Sequence, residues 1–318
     1  MQVFHSLSFL ISEQPTALTI GTFDGVHLGH RQLIRSVVES ARASGRRAAL
    51  VTFFPHPSVV LGRAEPFYLT SNEEKLAQLE SLRLDLVVVV EFTREMAQIR
   101  AAQFVNMLLG NLAMHEMWIG HDFALGYKRE GNAAFLRALG AERGYTFHQA
   151  EPVMVDGQPV SSSRIRQALR AGDVRQAAAC LGRPFQLNGL VVQGAHRGGK
   201  LGVPTANLAV WPEHAIPANG IYASRAHVGG TTHQAVTNIG TRPTFDNGAR
   251  TIEAHLLDFE GDLYGQTMSL DLIEYQRPEV KYNSVQALVA QMQEDIRIAR
   301  RILSSARDVK RAATSLTF

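Results

Sequence analysis

The run Leu84-Asp85-Leu86-Val87-Val88-Val89-Val90-Glu91-Phe92 decides the fold of the first half of the chain. A strand with one wet face alternates apolar and polar residues, and this run does not. Four consecutive valines suit a strand buried on both faces, as in a parallel sheet covered by helices. Outward from it the same grammar repeats. Upstream, 16–23 and 48–53 read as strands with a helix over 31–43 between them. Another helix opens at Ser71, with Glu74 at capping-box spacing, and runs to about 82. Downstream follow helix 101–112, strand 116–120, helix 133–143 and strand 146–149. Strands alternating with helices of this length predict βαβ units and a doubly wound α/β domain with a parallel sheet.

Beyond Gly182 the texture changes. Segments 187–193, 220–228, 234–240, 251–257 and 268–275 are short and strand-like, separated by Gly, Pro and Asn without intervening helices. This is the pattern of a small closed antiparallel β-barrel. A helix over 284–306 closes the pattern; Val285, Leu288, Val289, Met292, Ile296, Ala299 and Ile302 recur at three/four spacing, so that face should pack on the barrel. The fold class is therefore α/β followed by all-β with a C-terminal helix. The domains are expected at 1–183 and 184–306, with a polar tail over 307–318.

Composition agrees with a globular two-domain protein: 318 residues, 45% hydrophobic and 19% charged. The 32 basic and 29 acidic residues leave +3, which permits an anionic ligand without implying a nucleic-acid-coating protein. One cysteine, Cys180, excludes an internal disulfide, a Cys-rich zinc site and a CxxC redox pair, and fits a small buried hydrophobe. Residues 1–14 lack a basic start and a long apolar block, so no secretory leader is expected. The longest plain apolar run, 86–90, is far short of the roughly 20 residues of a membrane helix. A cytoplasmic protein without membrane or nucleic-acid partners is expected; oligomeric state is not legible.

Gly21-Thr22-Phe23-Asp24-Gly25-Val26-His27-Leu28-Gly29-His30 lies where the first strand meets the first helix, the ligand-binding edge of open α/β sheets. His27 and His30, three residues apart at a helix start, project from one face beside free backbone N–H groups. Gly21, Gly25 and Gly29 let a ligand approach the backbone. Such a site can hold a triphosphate and neutralise charge growing on its α-phosphate and the leaving pyrophosphate, with no side-chain nucleophile. Ser161-Ser162-Ser163-Arg164-Ile165-Arg166 opens a helix reaching about 171. Alone it is equally an ordinary cap with solvated arginines; together with the histidine string it reads as a second anion site. Candidate ATP- and phosphate-binding residues here are Gly21, Phe23, Asp24, Gly29, Ser161, Ser162, Arg164 and Arg166.

In the second half, Gly194-Ala195-His196-Arg197-Gly198-Gly199-Lys200-Leu201 nearly spells a P-loop. It fails because Leu201 has no hydroxyl for magnesium and Gly202-Val203-Pro204 cannot open a helix. A glycine loop between barrel strands can still cradle phosphates through its N–H groups. Gly194, Arg197, Gly198, Gly202 and Pro204 are candidates for that role. Thr205 and Asn207 place a hydroxyl and an amide oxygen two residues apart, hard donors suited to Mg²⁺ also held by ATP phosphates. His214, His233 and His255 show no metal-ligand spacing.

These strings resemble, first, the HxGH and Ser/Arg signatures of nucleotidylyltransferases, and more closely the bacterial bifunctional riboflavin kinase/FAD synthetase family. Supporting segments are Thr52-Phe53-Phe54-Pro55-His56-Pro57 and Gly120-His121-Asp122-Phe123-Ala124-Leu125-Gly126. The resemblance assigns Asp122 to the adenylyl donor. Phe54 and Ala124 depart from it, since members often carry an acidic residue and an arginine there; Phe54 and Phe123 fit core packing as well as flavin stacking. Gly194 to Asn207 resembles the riboflavin kinase signature, as do 238–244 and 252–259. There the resemblance makes Glu253 the general base for the ribityl hydroxyl, although Ile252 and Ala254 would face inward and Glu253 outward. It implies ATP-dependent phosphorylation of riboflavin to FMN in the barrel, and adenylylation of FMN to FAD in the α/β domain, with Mg²⁺. An RNA-binding reading, open to HxGH proteins, lacks a basic stripe with interleaved aromatics and leaves Pro204-Thr205-Ala206-Asn207 unexplained. A chain with one active site and one flavin-binding regulatory domain is the other reading.

Overall fold

The computed structural model describes residues 1–7, 12–194, 203–241 and 250–305. Contacts divide the chain into two compact units, Met1–Ser162 and Ser163–Phe318.

The first unit carries β1 (Gln2–Phe4), β2 (Thr16–Gly21), α1 (Leu28–Ala43), β3 (Arg47–Phe54), the single turn α2 (Pro57–Val60), α3 (Asn72–Glu80), β4 (Leu86–Glu91), α4 (Ala101–Leu112), β5 (Met114–Ile119), α5 (Ala133–Arg143), β6 (Thr146–Gln149) and a two-residue hairpin, β7 (Met154–Val155) with β8 (Gln158–Pro159). Its six-stranded sheet has the order β1-β4-β3-β2-β5-β6, and every pairing is parallel. The valine run behaves as its composition demands. Leu86 and Val88 face a core built with Phe104, Val105 and Leu108 of α4 and Leu136 of α5. Val87 and Val89 face the opposite core, built with Ile34 and Val37 of α1 and Leu79 of α3. The short β1, which pairs with β4, is absent from the sequence expectation because three residues carry no period.

The second unit begins within α6 (Ser162–Arg170) and continues through α7 (Val174–Leu181), β9 (Phe185–Val192), β10 (Ala206–Val210), β11 (Gly220–Val228), β12 (Thr231–Thr241), β13 (Arg250–Leu256), β14 (Thr267–Arg277) and α8 (Val285–Ser305). The division by contacts falls earlier than the 183/184 expected from composition. The physical reason is packing: α7 lies against β9 and β14, and Ala218 N donates to Leu169 O of α6 at 2.9 Å.

The strands close into an antiparallel barrel, β10-β13-β12-β11-β14-β9. It has six strands where five are expected; β10, which follows directly on Pro204-Thr205, is the strand missing from the expectation. Leu187, Tyr222, Ala226, Ile239, Ala254 and Leu270 are among its buried residues. Ser224 Oγ and Thr237 Oγ1 pair at 2.6 Å, so these buried hydroxyls satisfy each other. Helix α8 covers one outer side through Ala299 and Leu303 against Ala223. The expected packed face is corrected in part: Val285 is 57% exposed, and the buried positions are Asp295, Ala299 and Leu303 in the helix's second half. Cys180 is buried, as a small hydrophobe would be. The expected tail, 307–318, lies outside the described residues.

Candidate active sites

In the parallel sheet the chain runs from β2 to β3 and β4 on one side, then crosses to place β5 on the other side of β2. The strand order reverses between β2 and β5, and a crevice at such a reversal, beyond the strands' carboxyl ends, is where open α/β sheets bind ligands. The turn 22–27 and the segment beginning at Gly120 follow these two strands.

The β2–α1 turn is strained and tightly held. Phe23 and Val26 have φ of 49° and 40°, and both are buried. A β-branched residue in the left-handed region is held only where its surroundings over-determine it. Asp24 is part of that restraint. Its carboxylate accepts from Leu69 N at 3.0 Å, Thr70 N at 3.1 Å and Thr70 Oγ1 at 3.3 Å, and its carbonyl accepts from Ser162 Oγ at 2.9 Å. The Asp24 carboxyl therefore braces the loop.

His27 caps α1: its Nδ1 accepts from His30 N at 3.3 Å, which leaves Nε2 to carry the ring proton as a donor. The two imidazoles stack with centroids 3.5 Å apart and planes 16° apart, and Phe23 meets His30 edge-on at 5.0 Å. Gly29 makes room for this, because a Cβ there would stand 3.2 Å from His27 Cε1. Burial, then the neighbouring His27 and Lys75 charges, hold His30 well below the ordinary histidine range. At neutral pH His30 offers hydrogen bonds and no charge. Its Nδ1 is buried with no hydrogen-bond partner among the described residues.

Lys75 of α3 is missing from the sequence expectation. It is buried, and its Nζ donates to Thr52 Oγ1 at 3.1 Å and, more loosely, to Thr22 O at 3.4 Å and Phe53 O at 3.5 Å. Burial pulls its pKa down to about 8, with the Asp24 charge acting against it. The signal available in the sequence was its place four residues before Leu79, on the side of α3 that carries that buried leucine, although a lysine there ordinarily means a solvated one.

Beyond β5 an open cleft is lined by His121, Asp122, Phe123, Ala124, Arg129 and Asn132, among others. Asp122 is exposed at its mouth, and Arg129 donates to its carbonyl at 2.9 Å. Phe123 and Phe54 are half-buried against the two core clusters. Gly21 ends β2, and a Cβ there would press on the Phe23 ring at 3.2 Å. Ser161 precedes α6, whose Ile165, Ala168 and Leu169 are buried while Arg164 and Arg166 are half-buried.

On the barrel, Asn207 of β10 stands opposite Glu253 of β13, which stands opposite Asn238 of β12. Directly opposed residues share a face, with Cβ atoms about 4.5–5.5 Å apart. Ile252, Ala254 and Leu256 are buried, so Glu253 and its row lie on the outer face, and all three are half-buried. Asn238 Oδ1 is buried with no hydrogen-bond partner among the described residues. Asn238 opens the 238–244 segment and is not among the site residues expected from sequence. Pro204 O accepts from His255 Nδ1 at 2.8 Å, which ties the residues before β10 to β13. Thr205 is half-buried, and Gly194 leaves the space that the Asn207 carboxamide fills. Arg197, Gly198 and Gly202 lie outside the described residues. Among those residues no group of three or more His, Cys, Asp or Glu could hold a metal ion, and no helix is long and apolar enough to cross a membrane.

Residues 11–164 match the FAD synthetase family and residues 181–303 the riboflavin kinase family. The chain is 35% identical over 299 residues to the bifunctional riboflavin kinase/FMN adenylyltransferase of Listeria monocytogenes, covering 92% of this chain and 93% of that one. It is 34% identical to the Escherichia coli K12 protein of the same description, covering 93% and 95%. A solved structure described as a macrolide-efflux protein from Streptococcus pneumoniae superposes with a TM-score of 0.85 at 26% identity, over 94% of this chain and 98% of that one. With the strained HxGH turn at the sheet's switch point, the outward Asn–Glu–Asn row on the barrel and relatives matched over more than nine-tenths of both chains, the chain belongs to the bifunctional riboflavin kinase/FMN adenylyltransferases.

Proposed function

We propose that the family's two reactions are divided between the two places described: FMN adenylylation at the β2–α1 turn and riboflavin phosphorylation at the outer face of the barrel. The observation that carries the first assignment is the stacked His27–His30 pair at the amino end of α1. In that reaction a phosphate oxygen of FMN attacks the α-phosphorus of ATP, the bond to the β-phosphate oxygen breaks, and pyrophosphate leaves. Charge grows on the α-phosphate and on the leaving group. His27 Nε2–H, His30 and the open N–H groups of α1 donate to those oxygens, and Gly21 and Gly29 keep the backbone accessible. Phe23 and Asp24 shape and brace the turn. Asp122, at the cleft beyond β5, is assigned to the adenylyl donor, and Ser161, Ser162, Arg164 and Arg166 to its phosphates.

In the barrel, Glu253 takes the proton of the ribityl hydroxyl as its oxygen attacks the γ-phosphorus and ADP leaves. Gly194, Arg197, Gly198, Gly202 and Pro204 are assigned to the ATP phosphates. The donor set fits Mg²⁺ shared with a nucleotide rather than a metal caged by protein: Thr205 and Asn207 offer neutral oxygens, and Glu253 stands opposite Asn207. Bound there, Mg²⁺ would neutralise charge on the phosphates. A cytoplasmic setting, with flavins and ATP as partners rather than nucleic acid or membrane, fits the small charge surplus and the lone buried cysteine.

Chromatography of products from riboflavin and Mg-ATP tests the division. His27→Ala or His30→Ala should let FMN accumulate while FAD formation falls by roughly 10²–10³. Equal loss of both products in a folded variant would remove the assignment.

A further inference from the structure

Lys75 is 4% exposed, yet it forms no ion pair with any described carboxylate. Its hydrogen bonds go to neutral oxygens only: a hydroxyl of β3 and two carbonyls at the ends of β2 and β3. The Phe54 ring centroid lies 6.0 Å away. Asp24, the acid whose charge it feels, is already bonded to Leu69 and Thr70. An ammonium buried without an anion is costly, and packing alone would be served by an apolar residue. The missing partner is an anion, and this sheet edge is where the polyanionic substrates are proposed to bind.

We propose that Lys75 is a positioning residue for FMN adenylylation, fixing the ends of β2 and β3 and supplying beside His30 the buried positive charge that the phosphates of ATP complete. The inference rests on placing adenylylation at this turn. The groups facing His30 are His27, Phe23 and Lys75; those facing Lys75 are Asp24, Thr22, Thr52, Phe53, Phe54 and His30. His30, held well below the ordinary histidine range, offers hydrogen bonds and no charge at neutral pH, so the fixed charge facing it from α3 comes from the lysine. With its proton lost near pH 8 in the free enzyme, ATP binding above that pH takes up a proton at Lys75.

The test is kcat/KM for ATP in FMN adenylylation from neutral pH to about 10 for wild type, Lys75→Gln and Lys75→Arg, since kcat/KM reports free-enzyme ionisations. Riboflavin phosphorylation in the same preparations reports an intact second unit. The wild-type value should fall as pH rises past about 8, Lys75→Gln should lose that limb and be roughly 10²–10³ slower at neutral pH, and Lys75→Arg should recover rate and carry the limb to higher pH. A Lys75→Gln enzyme with wild-type kcat/KM, or a slow one that keeps the limb, overturns the proposal. His30→Ala run alongside separates the two ideas: if it loses FAD formation and Lys75→Gln does not, only this inference falls; if His30→Ala keeps FAD formation, the site assignment falls first. A measurement on the wild-type chain needs no variant to fold. In ¹³C-lysine NMR the Lys75 ε-resonance should titrate near 8 and move to higher pH with Mg-pyrophosphate; a titration that pyrophosphate leaves unmoved contradicts the proposal.

Discussion

Asp24, a candidate phosphate-binding residue, has a carboxylate that also braces the turn. Four acceptor contacts are taken up in holding 69–70 and the turn that carries Phe23 and Val26 in left-handed geometry. Asp24→Ala leaves buried N–H groups without acceptors, each worth about 1–3 kcal/mol, so unfolding of the first unit should shift down by on the order of 3 kcal/mol. Urea titration followed by Trp118 fluorescence checks this; an unchanged midpoint would mean the brace is dispensable. Lys75 gives a second effect at this scale, with a definite sign. Its pKa is about 8 folded against 10.5 as an ordinary lysine, so between those values the unfolded chain holds a proton that the folded chain has released. Stability from this group therefore rises with pH through that window and is at its lowest below it. Relative to Lys75→Met, the wild type should gain stability from pH 8 toward 10.5, and a pH-independent difference would contradict the buried-charge account. The histidines were legible because spacing and glycines announce them. Lys75 and Asn238 were not, since what distinguishes them is burial created by other elements.

Among the elements, the long apolar strand and its flanking helices could be read because packing on both faces leaves its mark in composition. β10 could not: five residues after a proline-bearing turn show little period, and only pairing with β9 and β13 defines them. Helix α8 shows the opposite error, a clean periodicity that overstates the contact. Val285 belongs to the apolar stripe but lies beyond the region that packs, whereas Asp295, polar in the sequence, is 3% exposed. Arg277 of β14 meets it with two hydrogen bonds, of 2.7 and 2.6 Å, and Gln291 adds a third at 3.0 Å. Breaking a buried pair by removing one partner costs about 3–5 kcal/mol, so Asp295→Ala should detach α8 from the barrel by that amount. Val285→Ala should stay within about 0.5 kcal/mol. Chemical denaturation of both variants decides the point; equal effects would restore the full apolar stripe as the packed face.

For the whole molecule, the change of texture near Gly182 revealed two architectures, while contacts draw α6 and α7 to the barrel because their packing partners come later in the chain. On the proposed division of residue sets between the two architectures, the two reactions should be lost one at a time. Glu253 tests this most sharply, because its side chain lies on the outer barrel face while its strand neighbours build the core. Glu253→Gln keeps size and a hydrogen-bonding oxygen but removes the base, which typically contributes roughly 10²–10⁴ in rate. The measurement is the rate of FMN formation from riboflavin, and of FAD formation from supplied FMN, by the same Glu253→Gln preparation. The account predicts a kinase rate down by roughly 10²–10⁴ with FAD formation from FMN at the wild-type rate. Wild-type phosphorylation of riboflavin, or a parallel fall in both rates, would contradict it.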